Sequence, residues 1–246
     1  MPTLPCKTGS AQINSSKITL PQISIIIPTL NEAENLPELL QNLARIRKKS
    51  SINTEVIIVD GGSVSGTPIV SDPNDIVLLS PQGRATQMNA GAGKARGELL
   101  IFLHADTRLP LQAAGHWQRL LLDSVPWAYY SVYIDHPGLV FRIIEWFMNT
   151  RSRFTRIATG DQVFCIRRDV FEQCGGFANI ELMEDVDLSS RLKKHVKPLM
   201  FSEPVQCSAR KWLKHGVIRT VVMMWALRAA YFFGASPSKL RAIYYG

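Results

Sequence analysis

Four short apolar runs constrain what this chain can fold into: Ile23-Ser24-Ile25-Ile26-Ile27, Glu55-Val56-Ile57-Ile58-Val59, Ile76-Val77-Leu78-Leu79 and Glu98-Leu99-Leu100-Ile101-Phe102-Leu103. They are rich in aliphatic residues and too short for helices, the pattern of strands covered on both faces. Pro28 ends the first run, and Gly61-Gly62 turns the chain after the second. Between these two runs Leu36, Leu39, Leu40, Leu43 and Ile46 recur at helical spacing, with Pro37 tolerable in a first turn and a basic cluster, Arg45 to Lys49, suited to the C-terminal end of the helix dipole. Ala85 to Arg96 predicts a second helix ahead of the fourth run. Strands alternating with helices imply an α/β domain whose parallel strands are joined by right-handed crossovers. In such sheets ligands sit beyond the carboxyl ends of the strands. Here those ends carry Thr29 to Glu32, Asp60, and His104 to Asp106.

At 246 residues, 46% of them hydrophobic, the chain can bury a core as one large domain or a domain with an appendage. Lys and Arg outnumber Asp and Glu by 28 to 20, a net charge of +8 that suits phosphates, nucleic acid or an anionic membrane surface without choosing among them. Residues 1–22 are polar and carry no apolar core of a signal peptide, so the expectation is a disordered leader on a cytoplasmic protein. The four cysteines, Cys6, Cys165, Cys174 and Cys207, show no C-x-x-C spacing and read as reduced thiols.

The glycines of Asn89-Ala90-Gly91-Ala92-Gly93-Lys94-Ala95-Arg96-Gly97 do not form a dinucleotide-binding loop. That signature must follow a strand directly and open a helix, whereas this run lies late in a helix and precedes a strand. Three other stretches, IIIPTLNEAENLPELL, EVIIVDGGSVSGT and GRATQMNAGAGKARGELLIFLHADT, together resemble the nucleotide-sugar half of family 2 glycosyltransferases of the GT-A fold. Gly160-Asp161-Gln162, Arg167 to Phe171, Gly175-Gly176-Phe177 and Met183-Glu184-Asp185-Val186-Asp187-Leu188 resemble its acceptor half, and the likeness covers roughly residues 22 to 212. Within the family the pattern GRATQMNAGA, FLHAD and LMED is most similar to the subgroup called radical-SAM/selenodomain-associated transferase 2.

The resemblance implies a GT-A type, Rossmann-like, mixed and mainly parallel sheet flanked by helices over residues 23–212, split into a nucleotide-sugar half (23–110) and an acceptor half (111–212). Residues 213–246 then form an amphipathic helical appendage. A strand-tip carboxylate is a hard oxygen ligand for Mn²⁺ or Mg²⁺, which ease departure of a diphosphate, so Asp106 is the expected metal ligand; capping a turn is the other use of an Asp there. The family often carries an acidic residue two positions earlier, where this chain has His104. Imidazole can ligate Mn²⁺, hydrogen-bond ribose or pack beside the strand. Asp60 resembles the family aspartate that contacts base or ribose, although Gly61 replaces a common second aspartate and Val64-Ser65 a common Thr-Asp pair. Arg84 resembles a nucleotide-contacting position, and Asn89, one helical turn on, could face the same cleft or serve as an ordinary helical residue. Asp185 matches the family base, with Glu184 placed to orient it or to alter its protonation; an acidic helix N-terminus is the alternative. Inverting stereochemistry is implied by the same likeness.

Val217 to Phe233 poses a membrane question. Its seven Val, Ile, Leu and Phe residues offer about −2 to −4 kcal/mol of insertion free energy, against roughly 5 to 7 for Arg219 and Arg228 placed centrally, so spanning is disfavoured. An interfacial helix with Trp225 and Tyr231 at the headgroups fits better, and a helix packed on the core is the alternative. Gly138 to Met148 is also broadly apolar, and with Trp127, Tyr129, Tyr130 and Tyr133 upstream it could frame an apolar acceptor site, a lid or a dimer face. Ser208 to Trp212 resembles an Arg-Trp element that the family carries near the diphosphate or the acceptor. The expected activity is transfer of a sugar, from a UDP-sugar in the first instance, to a hydroxyl or carboxyl of an amphipathic or lipid-like acceptor at the cytoplasmic membrane face, with no nucleic-acid partner. The alternative is a membrane-peripheral nucleotide-sugar binding protein without turnover.

Overall fold

The computed structural model describes residues 20–64 and 72–245; the leader up to residue 19 and Ser65 lie outside them. The first part of the chain comprises β1 (Ile23–Thr29), α1 (Leu36–Arg47), β2 (Thr54–Asp60), β3 (Ile76–Leu79), α2 (Arg84–Lys94) and β4 (Leu99–Phe102). After it come β5 (Thr107–Arg108), α3 (Ala113–Leu122), β6 (Trp127–Asp135), α4 (Leu139–Thr155), a 3-10 turn (Gly160–Gln162), β7 (Phe164–Arg167), α5 (Arg168–Gln173), α6 (Glu184–His195) and β8 (Leu199–Ser208). Three helices close the chain: α7 (Arg210–His215), α8 (Val217–Phe232) and α9 (Pro237–Tyr245).

The strands form one eight-stranded sheet in the order β3-β2-β1-β4-β7-β6-β8-β5. β3, β2, β1 and β4 pair in parallel, β7 runs against both β4 and β6, and β8 is parallel to β6. Only β5 and β7 therefore oppose the common direction. Phe102 and Tyr129 both pair with Phe164, so β6 continues past the tip of β4 and, with β8, raises a wall above the strand ends to which β5 is added.

The uninterrupted apolar runs are explained by burial on both faces. Ile23, Ile25 and Ile27 pack against Leu36, Leu39, Leu43 and Ile46 of α1 and, further along, Trp117 of α3. Ile26, Ile57 and Val59 face Ala85, Met88 and Ala92 of α2. One of the glycines that mimic a dinucleotide loop serves this packing: a Cβ on Gly91 would lie 2.5 Å from Cγ2 of Ile26, so the close approach of α2 to the sheet needs a residue without a side chain there. At the opposite end of the strands, the buried Glu55 carboxylate accepts from Ser24 Oγ (2.6 Å), Arg96 N (2.6 Å) and Arg96 Nε (2.7 Å), while Ser24 Oγ accepts from Gly97 N (2.8 Å). This network compensates the burial of a charge and pins the start of β4 to β1 and β2.

The C-terminal helices are docked, not detached. Leu227 of α8 and Leu240 of α9 bury themselves with Leu182 and Met183, immediately before α6. The other side of α8 is exposed and apolar, so the segment both packs on the domain and presents an apolar face. No helix among the described residues is long and apolar enough to cross a membrane. Trp127, Tyr129 and Tyr130 do not frame an acceptor site: they are core residues of β6, at most 1% exposed, because the sheet is covered on both sides there. Tyr133 alone of the four reaches the surface, with the Arg142 guanidinium 4.1 Å over its ring.

Candidate active site

The tips of β1 and β2 are tied together before any ligand is considered. Gln87, buried on α2, donates its amide to the carbonyls of Thr29 and Val59, each at 2.8 Å. Thr29 is buried beside it, its hydroxyl 3.4 Å from the Val59 carbonyl. Asp60 Oδ1 accepts from Ser63 N (3.0 Å) and Ser63 Oγ (2.6 Å), and Asn31, at φ 56°, reaches across to accept from Val64 N (3.1 Å). A Cβ on Gly61 would stand 3.2 Å from the Gln87 amide, which gives a packing reason for glycine at this position. Glu32 Oε2 accepts from Asn35 (2.5 Å) and lies 3.5 Å from Arg210, linking the β1 tip to the start of α7.

Beyond β4, residues from four distant segments converge. The His104 ring, 13% exposed, lies under Gly160, where an added Cβ would come within 2.4 Å of its Cε1. His104 Nδ1 stands 3.6 Å from Asp161 Oδ1, so a carboxylate reaches this place from the 3-10 turn rather than from the strand. The Gly160 amide donates to Asp185 Oδ2 (2.8 Å), and the Val186 amide donates to Oδ1 (2.7 Å), which fixes both oxygens of Asp185 at the start of α6. The turn itself is held by Gln162, whose Oε1 accepts from Ser152 Oγ (2.7 Å) and whose Nε2 donates to the Tyr130 carbonyl (3.3 Å).

Glu184 is buried next to Asp185. Desolvation, and then the Asp185 charge, push its carboxyl up to about 7; the Arg84 guanidinium, its backbone hydrogen bond and His104 pull the other way. Arg84, at the first position of α2, thus acts electrostatically on the same acidic pair. A carboxyl whose folded value lies above its unfolded one favours the folded state while protonated, and that contribution is lost as pH rises through the folded value. Folding stability should therefore fall, by up to about 3 kcal/mol, between about pH 4.5 and about pH 7. Glu184→Gln should flatten that slope in urea titrations at several pH values; an unchanged slope would place the titrating group elsewhere.

Asp106 lies on the wall side, in a small concavity with Asn35, Glu38, Asp135, Gln206 and Ser208. Its charge and that of Asp161 both act on the buried Cys207, holding the thiol well above its ordinary value together with burial, the largest cause. Cys207 Sγ lies 3.3 Å from the Asp161 backbone carbonyl. Among the described residues no three His, Cys, Asp or Glu side chains form a ready metal cage. One hard carboxylate with a second nearby fits a Mg²⁺ or Mn²⁺ ion that takes its remaining ligands from water and substrate phosphates.

Asn89 is spent elsewhere. Its amide donates to the Phe177 carbonyl (2.8 Å) and accepts from the Phe177 amide (3.0 Å), bracing the Gly175-Gly176 turn, whose residues have φ 73° and 66°. Asp187 likewise pairs with Arg191 (2.6 Å), which holds the same turn through the Gly176 carbonyl. Gln87, Gly160, Asp161 and Asp135 went unread as site residues, although all but Asp135 lie within motifs quoted above.

A mainly parallel α/β sheet that gathers its polar groups beyond β1, β2 and β4 has the architecture of GT-A glycosyltransferases. The structure is similar to S. aureus TarS 1-349 (TM-score 0.58, 16% identity, 76% of this chain and 60% of that one). It is also similar to the mannosyltransferase PcManGT of Pyrobaculum calidifontis, solved with GDP-Man and Mn²⁺ (TM-score 0.58, 20% identity, 78% and 57%). Residues 24–175 match the sequence profile of glycosyl transferase family 2, and the chain belongs to that family. Curated relatives include an undecaprenyl-phosphate 4-deoxy-4-formamido-L-arabinose transferase of Aeromonas hydrophila, 35% identical over 107 residues (40% of this chain, 32% of the relative). Another is a PGL/p-HBAD biosynthesis glycosyltransferase of Mycobacterium bovis, 38% identical over 97 residues (36% and 37%). The matches span about a third of the length of these relatives.

Proposed function

We propose that the protein is an inverting, metal-dependent glycosyltransferase that moves a sugar from a nucleotide diphosphate sugar, a UDP-sugar in the first instance, to a hydroxyl or carboxyl of an amphipathic acceptor. The observation that carries this reading is the meeting of Arg84, His104, Glu184 and Asp185 beside the Gly160-Asp161 turn. Asp60 and the braced β1 and β2 tips receive the nucleoside, while Arg84 offers positive charge to the diphosphate. Asp185 takes the proton of the acceptor hydroxyl as its oxygen bonds to the anomeric carbon and the bond from that carbon to the diphosphate oxygen breaks. Glu184, neutral near pH 7 when protonated, leaves Asp185 less opposed by like charge. Mn²⁺ or Mg²⁺ at Asp106 would neutralise charge on the departing diphosphate. The subgroup reading, radical-SAM/selenodomain-associated transferase 2, rests on GRATQMNAGA, FLHAD and LMED and belongs to the same proposal.

Incubation with UDP- and GDP-sugars plus Mn²⁺ should show slow donor hydrolysis that EDTA stops. Tight nucleotide-sugar binding without turnover of any donor would favour the binding-protein reading instead.

The apolar face of α4 and α8 supports a peripheral membrane position. Trp146 and Trp225 are each 61% exposed, and Phe147 meets Trp225 at a ring distance of 6.3 Å. Aromatic side chains on a surface helix with basic neighbours suit the headgroup boundary. Replacing both tryptophans by Ser should weaken cosedimentation with phosphatidylglycerol vesicles by about tenfold. Equal binding of the variant would remove this face from the membrane contact.

A further inference from the structure

Two arginines that the proposed chemistry leaves unused stand between that apolar face and the base. Arg151 is near the end of α4 and Arg228 is on α8. Phe147 precedes Arg151 by four residues and Trp225 precedes Arg228 by three, so each aromatic shares a helix face with its arginine. The Phe147 and Trp225 rings meet between the helices, and on each helix the arginine lies one turn further along the chain.

Burial, and then the Arg228 charge, push Arg151 down to about 10, while Asp185, Tyr129 and Asp161 oppose the change. Neither Arg151 Nε nor Arg228 Nε has a hydrogen-bond partner although both atoms are shielded from solvent. Arg151 spends one other donor on Ser152 Oγ (3.1 Å), the hydroxyl that also holds Gln162 and the catalytic turn. Two guanidinium groups brought together with orphaned donors are the complement of a dianion with several acceptor oxygens. Asp161 and Asp185 lie on the Arg151 side, which leaves Arg228 and the apolar face as the side from which such a group arrives.

We propose that Arg151 and Arg228 bind a phosphate monoester carried by the acceptor, whose apolar chain lies along Phe147 and Trp225. This rests on the acceptor side of the function proposed above and concerns what anchors the acceptor; the hydroxyl or carboxyl that receives the sugar is a separate group nearer Asp185. The arrangement selects amphipathic phosphates over neutral lipids, and over inorganic phosphate because the chain adds apolar contact.

The test is direct binding without donor or metal, so that it does not depend on turnover. Decyl phosphate below its micelle concentration, decanoate, decanol and inorganic phosphate are titrated by calorimetry into the full chain. Decyl phosphate should bind at least about tenfold more tightly than each of the others. Arg228→Gln should weaken it by about tenfold or more and Arg228→Lys by less, with Tm reporting that both variants fold. Equal binding of decanol or decanoate would overturn the phosphate assignment on the wild-type protein alone, whatever the variants do. Inorganic phosphate binding as tightly as decyl phosphate would remove the apolar chain, and a folded Arg228→Gln that binds as wild type would remove Arg228. Failure of these titrations alongside intact donor hydrolysis would sink this inference and leave the glycosyltransferase reading standing.

Discussion

Asp185→Asn should lower sugar transfer by about a thousandfold while leaving nucleotide affinity nearly unchanged. The substitution keeps the shape of the side chain and one oxygen for the Gly160 amide, at the expense of the Val186 hydrogen bond, so the turn above His104 keeps its tether. It removes the carboxylate proposed above to receive the acceptor proton. A thousandfold loss corresponds to about 4 kcal/mol of barrier, within the range that a positioned base supplies. Single-turnover transfer and equilibrium nucleotide binding separate the outcomes. Loss of nucleotide binding would show that Asp185 belongs to the donor site, and near-normal transfer would pass the role of base to another group. Because Glu184 is buried beside it, Glu184→Gln is the companion variant: it keeps Asp185 and should retain most of the transfer rate.

Gly97→Ala should destabilise the fold by about 3 kcal/mol without touching the site. A Cβ there would lie 2.5 Å from the Ile23 carbonyl carbon and 2.5 Å from the Ser24 nitrogen. Both are backbone atoms of a central, fully buried strand, so no rotamer change relieves the clash. Relief requires β1 and β4 to separate locally, and that disturbs the hydrogen bond from Gly97 N to Ser24 Oγ and, through it, the Glu55 network. In a protein of this size the cost is a fall in Tm of about 6–12 °C. A variant melting within about 2 °C of wild type would mean that the strands can part at little cost.

The first four strands were readable because their signals are local. Apolar runs such as Ile23 to Ile27, the helical repeat of Leu36, Leu39 and Leu43, and the polar residues after each strand are visible within a few positions, and the structure has all four strands and both helices there. The rest of the chain depends on contacts that are remote in sequence. That β7 would run against its neighbours, and so set Gly160 and Asp161 over His104, is a matter of sheet pairing between segments about sixty residues apart. Aromatic residues on β6 looked available because their period does not reveal a second covered face. The Asn89 amide holds Phe177, just after the Gly175-Gly176 turn, across 88 residues of sequence that no local pattern bridges. Gln87 gave no local sign of its place between two carbonyls.

The reversed strand β7 also bears on how such a protein diversifies. The chain leaves the catalytic edge after Asp106 and returns to it at the Gly160 turn, so everything between is a closed excursion anchored at both ends beside His104. Its length and surface, including the α4 side of the arginine rung, can change through insertion or substitution while β1, β2 and β4 keep the donor strands in register. New acceptors are thereby open to such a lineage without renegotiating the nucleotide, provided that the returning turn keeps its glycine.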